Sequence, residues 1–155
     1  MSLDLDAIDS ALVRTLQSDA GISNKDLAAA TGIAPSTALE RVRGLFRRGV
    51  LRRRTVEVDL PSLGRGLQAM VSIRLRPPNR QVIEEFTRFL ADLPEIIALF
   101  TLTGSEDFLL HVAVRDVDQL NAFILDTLTV RREIADVRTS IVFQYRRRPV
   151  IEPLP

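Results

Sequence analysis

Cysteine is absent from this 155-residue chain, which excludes disulfides and thiolate metal sites. A single histidine, His111, leaves too few imidazoles for a histidine-built metal centre or a His-dependent triad within one chain. No run approaches the roughly 20 apolar residues that a membrane helix needs. The start, Met1-Ser2-Leu3-Asp4, is acidic and lacks the basic and apolar regions of a secretory signal. The expectation is a soluble cytoplasmic protein with no membrane partner, metal or cofactor. Lysine is also scarce: of 21 basic residues, only Lys25 is not arginine. Arginine offers a planar fork to phosphate and guanine that lysine does not. The bias runs through the whole chain, however, and a GC-rich genome accounts for it.

What is present fits a globular protein. Hydrophobic residues make up 46%, an ordinary fraction, and the length suits one domain or two small ones. The net charge of +1 hides an uneven distribution. Residues 34–54 hold seven arginines (Arg41, Arg43, Arg47, Arg48, Arg52, Arg53 and Arg54) and one acid, Glu40. Such a cluster is either a solvated helix face or an electrostatic footprint for phosphates.

The pattern around the cluster separates these readings. Leu5, Ile8, Leu12 and Leu16 recur at helical spacing, and Asp19-Ala20-Gly21 ends that helix. Ser23, with Asp26 three residues on, approximates a capping box for a second helix that stops at Thr31-Gly32. Pro35 suits the first turn of a third helix. Ala38, Val42 and Leu45 form its inward stripe, and Gly49 closes it. Val50 to Val58 alternates weakly, as a small hairpin or wing would, and Pro61-Ser62-Leu63-Gly64 reads as a hinge. Three short helices with a tight turn before the third make a helix-turn-helix. The third helix enters the major groove by its N-terminal half. Ser36, Thr37, Glu40 and Arg41 are expected to reach base edges. Arg43, Arg47, Arg48, Arg52, Arg53 and Arg54 are expected on phosphates, where contacts orient but do not specify.

The remainder has another rhythm. Ala69 to Leu75 alternates as a strand, and Pro77-Pro78-Asn79 makes a turn. Val82/Ile83, Phe86, Phe89/Leu90 and Leu93 mark an amphipathic helix ended by Pro94. Ile96–Leu102 and Phe108–Val114 read as strands separated by Thr103-Gly104-Ser105. Asp116 with Gln119 caps a helix carrying Leu120, Phe123/Ile124 and Leu128. Val137 to Tyr145 alternates as a last strand. The order β-α-β-β-α-β is the ferredoxin-like arrangement. The fold class is therefore α+β, with an N-terminal winged helix-turn-helix and a C-terminal αβ sandwich. The divisions are 1–60 for DNA binding with a hinge at about 59–66, 67–148 for sensing and oligomerisation, and 149–155 as an exposed tail.

Ordered fragments along almost the whole chain resemble the Lrp/AsnC, or feast/famine, transcription regulators. They begin with Leu5-Asp6-Ala7-Ile8-Asp9, Leu12, Leu16-Gln17-Ser18-Asp19, Ile22-Ser23-Asn24, Leu27-Ala28 and Gly32. Pro35-Ser36-Thr37, Arg41-Val42, Leu45 and Gly49-Val50-Leu51 continue the series. Asp59-Leu60 with Leu63-Gly64, then Thr103-Gly104-x-x-Asp107 and Thr139-x-Ile141-Val142, complete it. The resemblance implies regulated binding to double-stranded DNA at a pseudo-palindromic operator. It further implies homodimers that pair through their sheets and assemble to octamers, and an effector, usually an amino acid, held near the Thr-Gly-x-x-Asp loop. Effector contacts then fall to Thr103, Gly104, Ser105, Glu106, Asp107 and Thr139.

Two of these have another explanation: Gly104 and Asp107 both serve a turn. This chain also departs from the family at Ala34, where a capping Ser is frequent, at Gly44 inside the reading helix, and at Glu106, where an aromatic is common. Two further functions arise on such a chain. A sirohaem-type tetrapyrrole decarboxylase would need histidines and arginines lining a large pocket, which one histidine serves poorly. An architectural DNA-compacting protein would bind without operator preference. A non-enzymatic, ligand-responsive regulator is the main expectation.

Overall fold

A computed structural model describes residues 5–76 and 79–153 of the chain. Three helices come first: α1 (Ala7–Ser18), α2 (Asn24–Thr31) and α3 (Pro35–Arg47). The caps follow from the sequence. Asp6 accepts the Asp9 N–H at the start of α1, and Ser23 accepts the Asp26 N–H at the start of α2. Gly32 ends α2 in the left-handed region at φ 68°, a conformation that a side chain disfavours. α3 has Pro35 at its start and no side-chain cap from Ala34. Asn24 donates to the Pro35 carbonyl at 2.8 Å and ties α2 to that uncapped end. Leu12, Leu16, Leu27, Ala28, Ala38, Val42 and Leu45 bury together, which is the stripe that helical periodicity selects.

The hairpin expected over Val50 to Val58 is not formed. Residues 51–59 contain neither helix nor strand. The segment has no glycine, proline or asparagine to reverse it, and Arg52-Arg53-Arg54 sets like charges side by side. Pro61–Leu63 then forms a single 3-10 turn. It is held by Asp59, whose carboxylate accepts from the Ser62 N–H and hydroxyl at 2.9 and 2.5 Å.

The second half is a four-stranded antiparallel sheet in the order β2-β3-β1-β4. Its strands are β1 (Leu67–Leu75), β2 (Ile96–Thr101), β3 (Phe108–Val114) and β4 (Ile134–Ile141). The helix α4 (Arg80–Ala91) follows β1, and α5 (Val117–Ala122) follows β3. α5 widens into a π-helical stretch, Phe123–Leu128. Ala69, Val71, Ile73 and Leu75 from β1 bury with Phe108, Leu110, Val112 and Val114 from β3. Phe86 and Leu90 of α4 and Leu120, Phe123 and Leu128 complete this core. Both helices therefore cover one face of the sheet, and period-2 alternation sends Met70, Ser72, Leu109 and His111 to the other.

Both ends of the last strand differ from the sequence expectation. β4 starts at Ile134 and ends at Ile141, so Phe143 and Tyr145 continue the alternation beyond the strand, and Phe143 is 99% exposed. Pro77 and Pro78 of the expected turn lie outside the described residues, as do Met1–Asp4 and the last two residues of the tail. Asn79 caps α4 through the Val82 N–H at 2.9 Å.

By compactness the chain falls into two units. One runs to Glu57 and includes the chain from Arg146 onward; the other is Val58–Tyr145. The tail is not a loose end. Ile151 donates to and accepts from the Gln17 amide, both at 2.9 Å, and Glu152 pairs with Arg14 at 2.6 Å. No helix among the described residues is long and apolar enough to cross a membrane.

Candidate nucleic-acid interface and effector loop

α3 divides into an inward stripe and an outward ridge. Ala38 and Leu45 are fully buried and Val42 nearly so. On a helix, positions three and four apart align. The ridge opposite the stripe is therefore Ser36, Glu40, Arg43 and Arg47, and all four are exposed. Thr37 is also exposed, on the flank. Phe46 packs against the three-helix core, whereas Leu39 is 40% exposed.

Arg41 does not stand outward as the sequence reading expected. Its Nη1 lies 2.6 Å from Asp6 Oδ2 and 2.9 Å from Asp9 Oδ1. Arg48, two turns further along α3, places its Nη1 2.9 Å from Asp9 Oδ2. The Asp9 carboxylate is only 8% exposed, so one buried anion bridges two arginines of the reading helix. The hydrogen bond from the Asp9 N–H, then the Arg41 guanidinium, holds the Asp6 carboxyl below its usual range. The same acids raise Arg41. Sequence reasoning missed Asp6 and Asp9, although the signal was present. Asp9 lies three residues before Leu12 and four after Leu5, on the inward stripe, where a lone carboxylate calls for a cationic partner.

Arg43, Arg47, Arg52, Arg53 and Arg54 are all exposed. None of them takes part in an ion pair among the described residues. They give the first unit an uncompensated basic surface in and just after α3, as phosphate recognition requires.

The expected effector residues divide into two groups. Thr103, Gly104 and Ser105 are exposed at the tip of the β2–β3 loop, with Gly104 at φ 123°, a conformation that favours glycine. Asp107 anchors the loop: its carboxylate accepts the Leu75 N–H at 2.7 Å and its own N–H donates to the Ile73 carbonyl at 2.9 Å. Glu106 lies 3.6 Å from Arg138 of β4, which also pairs with Asp136 at 3.0 Å. The register sets Thr139 opposite Val71 and Arg138 opposite Ser72. Thr139 therefore belongs to the helix-bearing side and Arg138 to the open side. The ion pair brings Glu106 to Arg138 rather than to Thr139, and Arg138 is a neighbour of the loop that the sequence reading did not include.

His111 is buried on the open face, where its Nε2 meets Gln68 Oε1 at 2.9 Å and its ring lies 5.4 Å from that of Tyr145. Desolvation lowers its pKa. Its partners are structural, and nothing in this arrangement favours tetrapyrrole chemistry.

Comparison with known proteins agrees with this geometry. Residues 5–45 match the AsnC-type helix-turn-helix domain, and residues 68–150 match the Lrp/AsnC ligand binding domain. The chain belongs to the Lrp/AsnC family of transcriptional regulators. Among its relatives is the HTH-type transcriptional regulator AldR of Mycolicibacterium smegmatis. It is 39% identical over 93% of this chain and 84% of the relative. The transcriptional regulator AzlB of Bacillus subtilis is 36% identical over 99% of this chain and 98% of its own. A Neisseria meningitidis transcriptional regulator solved as its L-Met complex superposes with a TM-score of 0.87 at 28% identity, covering 94% of both chains.

Proposed function

We propose that this chain reads duplex DNA as a homodimer, at a pseudo-palindromic operator, with DNA binding modulated by an amino acid. The observation that carries the DNA reading is the outward ridge of α3. Ser36, Glu40, Arg43 and Arg47 stand opposite the buried stripe, and unpaired arginines follow the helix. Polar and arginine side chains at the start of such a helix suit base edges, and the later arginines suit phosphates. A dimer would set two such helices about one turn of DNA apart, which a two-fold operator matches.

The amino-acid reading is supported by the L-Met complex of the Neisseria relative and by the loop Thr103 to Asp107. The exposed residues Gly104 and Ser105 offer backbone N–H groups that suit a carboxylate, while Asp107 and Glu106 supply anionic groups for an ammonium. Arg138, which Glu106 meets at 3.6 Å, is the β4 side chain at this loop, whereas Thr139 faces the helix-bearing side opposite Val71. The open face of the sheet, with Phe100 48% exposed and Met70 and Leu109 half-buried, suits pairing of two copies. Assembly of dimers to octamers rests on the family alone.

A thermal-shift screen of the full chain against the common amino acids and keto acids tests the sensing half. A ligand at 100 times its Kd stabilises by about 2.7 kcal/mol. A clear upward shift with at least one amino acid is expected, and no shift with any of them contradicts amino-acid sensing.

A further inference from the structure

We infer that Arg43, rather than Arg41, is the arginine of α3 that reads a base, and that Arg41 instead holds α3 against α1. The inference rests on the DNA-binding reading above. α3 holds Arg41, Arg43 and Arg47, with Arg48 at its C-cap, and the geometry sorts the four. Arg41 and Arg48 lie on the same flank and are bound to one buried carboxylate, Asp9, at 2.9 Å each. For Arg41 to reach a guanine it would have to leave both Asp6 and Asp9. Asp9 would then remain buried with one of its two cations gone, an arrangement the protein interior penalises.

Arg43 has no such commitment. It is exposed, it enters no ion pair among the described residues, and it stands on the ridge directly opposite Ala38, Val42 and Leu45. Glu40 precedes it by one turn on the same ridge, and Ser36 by two. A free arginine fork at mid-helix matches the O6/N7 edge of guanine, and a neighbouring Glu matches a cytosine amine. Arg47 shares the ridge but lies in the last turn, where the helix leaves the groove floor for the backbone. Arg43 is thereby the specificity-determining arginine, with Glu40 and Ser36 as its neighbours.

The test selects duplexes from a random 30-base-pair library with the full chain and with its Arg43→Ala and Arg41→Lys variants. Lysine at position 41 keeps a cation for Asp9 but cannot present a guanidinium fork. Arg43→Ala should flatten the preference at one base pair of each half-site by about tenfold, while its melting temperature stays unchanged. Arg41→Lys should leave the selected sequence unchanged. An unaltered preference in Arg43→Ala, or a lost base position in Arg41→Lys, would overturn the assignment and leave DNA binding intact. If the unmodified chain enriches no duplex, the DNA-binding reading fails and the assignment falls with it.

Discussion

The Asp107 carboxylate accepts the backbone N–H of Leu75 at 2.7 Å, fastening the loop that carries Thr103, Gly104 and Ser105 to the end of β1. This bond uses Oδ2; in the proposed effector site, Oδ1 is the oxygen that would meet a ligand ammonium. Asparagine retains an acceptor for Leu75 but removes the charge. Asp107→Asn should therefore keep its unfolding free energy within about 1 kcal/mol of the parent, while its apparent affinity for the proposed amino-acid effector falls roughly tenfold. Asp107→Ala should lose both. Calorimetric titration beside thermal melts separates the two effects. An unchanged affinity in Asp107→Asn would show that Asp107 serves only the turn.

Asp9 makes a second case, in the other unit. Removing a buried partner leaves two arginines without their anion. Breaking a fully buried pair costs about 3–5 kcal/mol. Because Arg41 and Arg48 are 32% and 38% exposed, solvent screens part of this, and about 2 kcal/mol is expected. Asp9→Ala should lower the melting temperature of the first unit by roughly 10 °C and weaken DNA binding. Differential scanning calorimetry reads the shift. A fall below about 2 °C would mean that the bridge does not hold α3.

The acid limb of stability should report Asp6. Its folded pKa lies below the ordinary 3.8, so the native state favours the charged carboxylate. The contribution of a depressed carboxyl is present above its unfolded pKa and lost as pH falls through the folded one. Stability gained from the helix cap and Arg41 should thus be intact at pH 6 and decline below about pH 4. Asp6→Asn keeps a cap acceptor without titrating, so its melting temperature should vary less with pH below 4. Parallel acid titrations of the two proteins followed by circular dichroism would show it. Superimposable curves would remove Asp6 from the account.

The arginines after α3 are expected to act through charge. Each phosphate contact contributes about 0.9 to the slope of log K against log salt. Arg54→Ala should reduce that slope by about 1 for each protomer bound and weaken binding equally on all sequences. Anisotropy titrations at several salt concentrations measure this. A preserved slope would place Arg54 away from the backbone.

Much of the fold was legible in sequence because local rules and core packing agree. Ser23, Asp116 and Pro35 mark helix starts as their chemistry requires, and Ile96–Leu102 is visible as the apolar run of a strand that the structure ends at Thr101. The long-range electrostatics were less visible. Periodicity cannot show that Arg41 turns back 32 residues to Asp9, because a flexible side chain on the flank of a helix has two directions open to it. Nor does a β-branched stretch such as Thr55-Val56-Glu57-Val58 form a strand by propensity alone, since a strand needs a hydrogen-bonded partner. Glu106 and Arg138 meet across the sheet through a register that no local motif records. The tail is exposed, with Ile151 68% exposed, but its pairing with the Gln17 amide is likewise recorded by no local motif.

Sequence readout is the role proposed for α3. The most direct test compares the dissociation constants of the full chain for its selected duplex and for a scrambled duplex, in one buffer at physiological salt. A sequence-specific regulator binds its site about a thousandfold or more tighter than unrelated DNA, and a ratio of that order is predicted here. A ratio near one, with both affinities falling steeply as salt rises, would describe a charge-driven DNA-coating protein and would contradict the account.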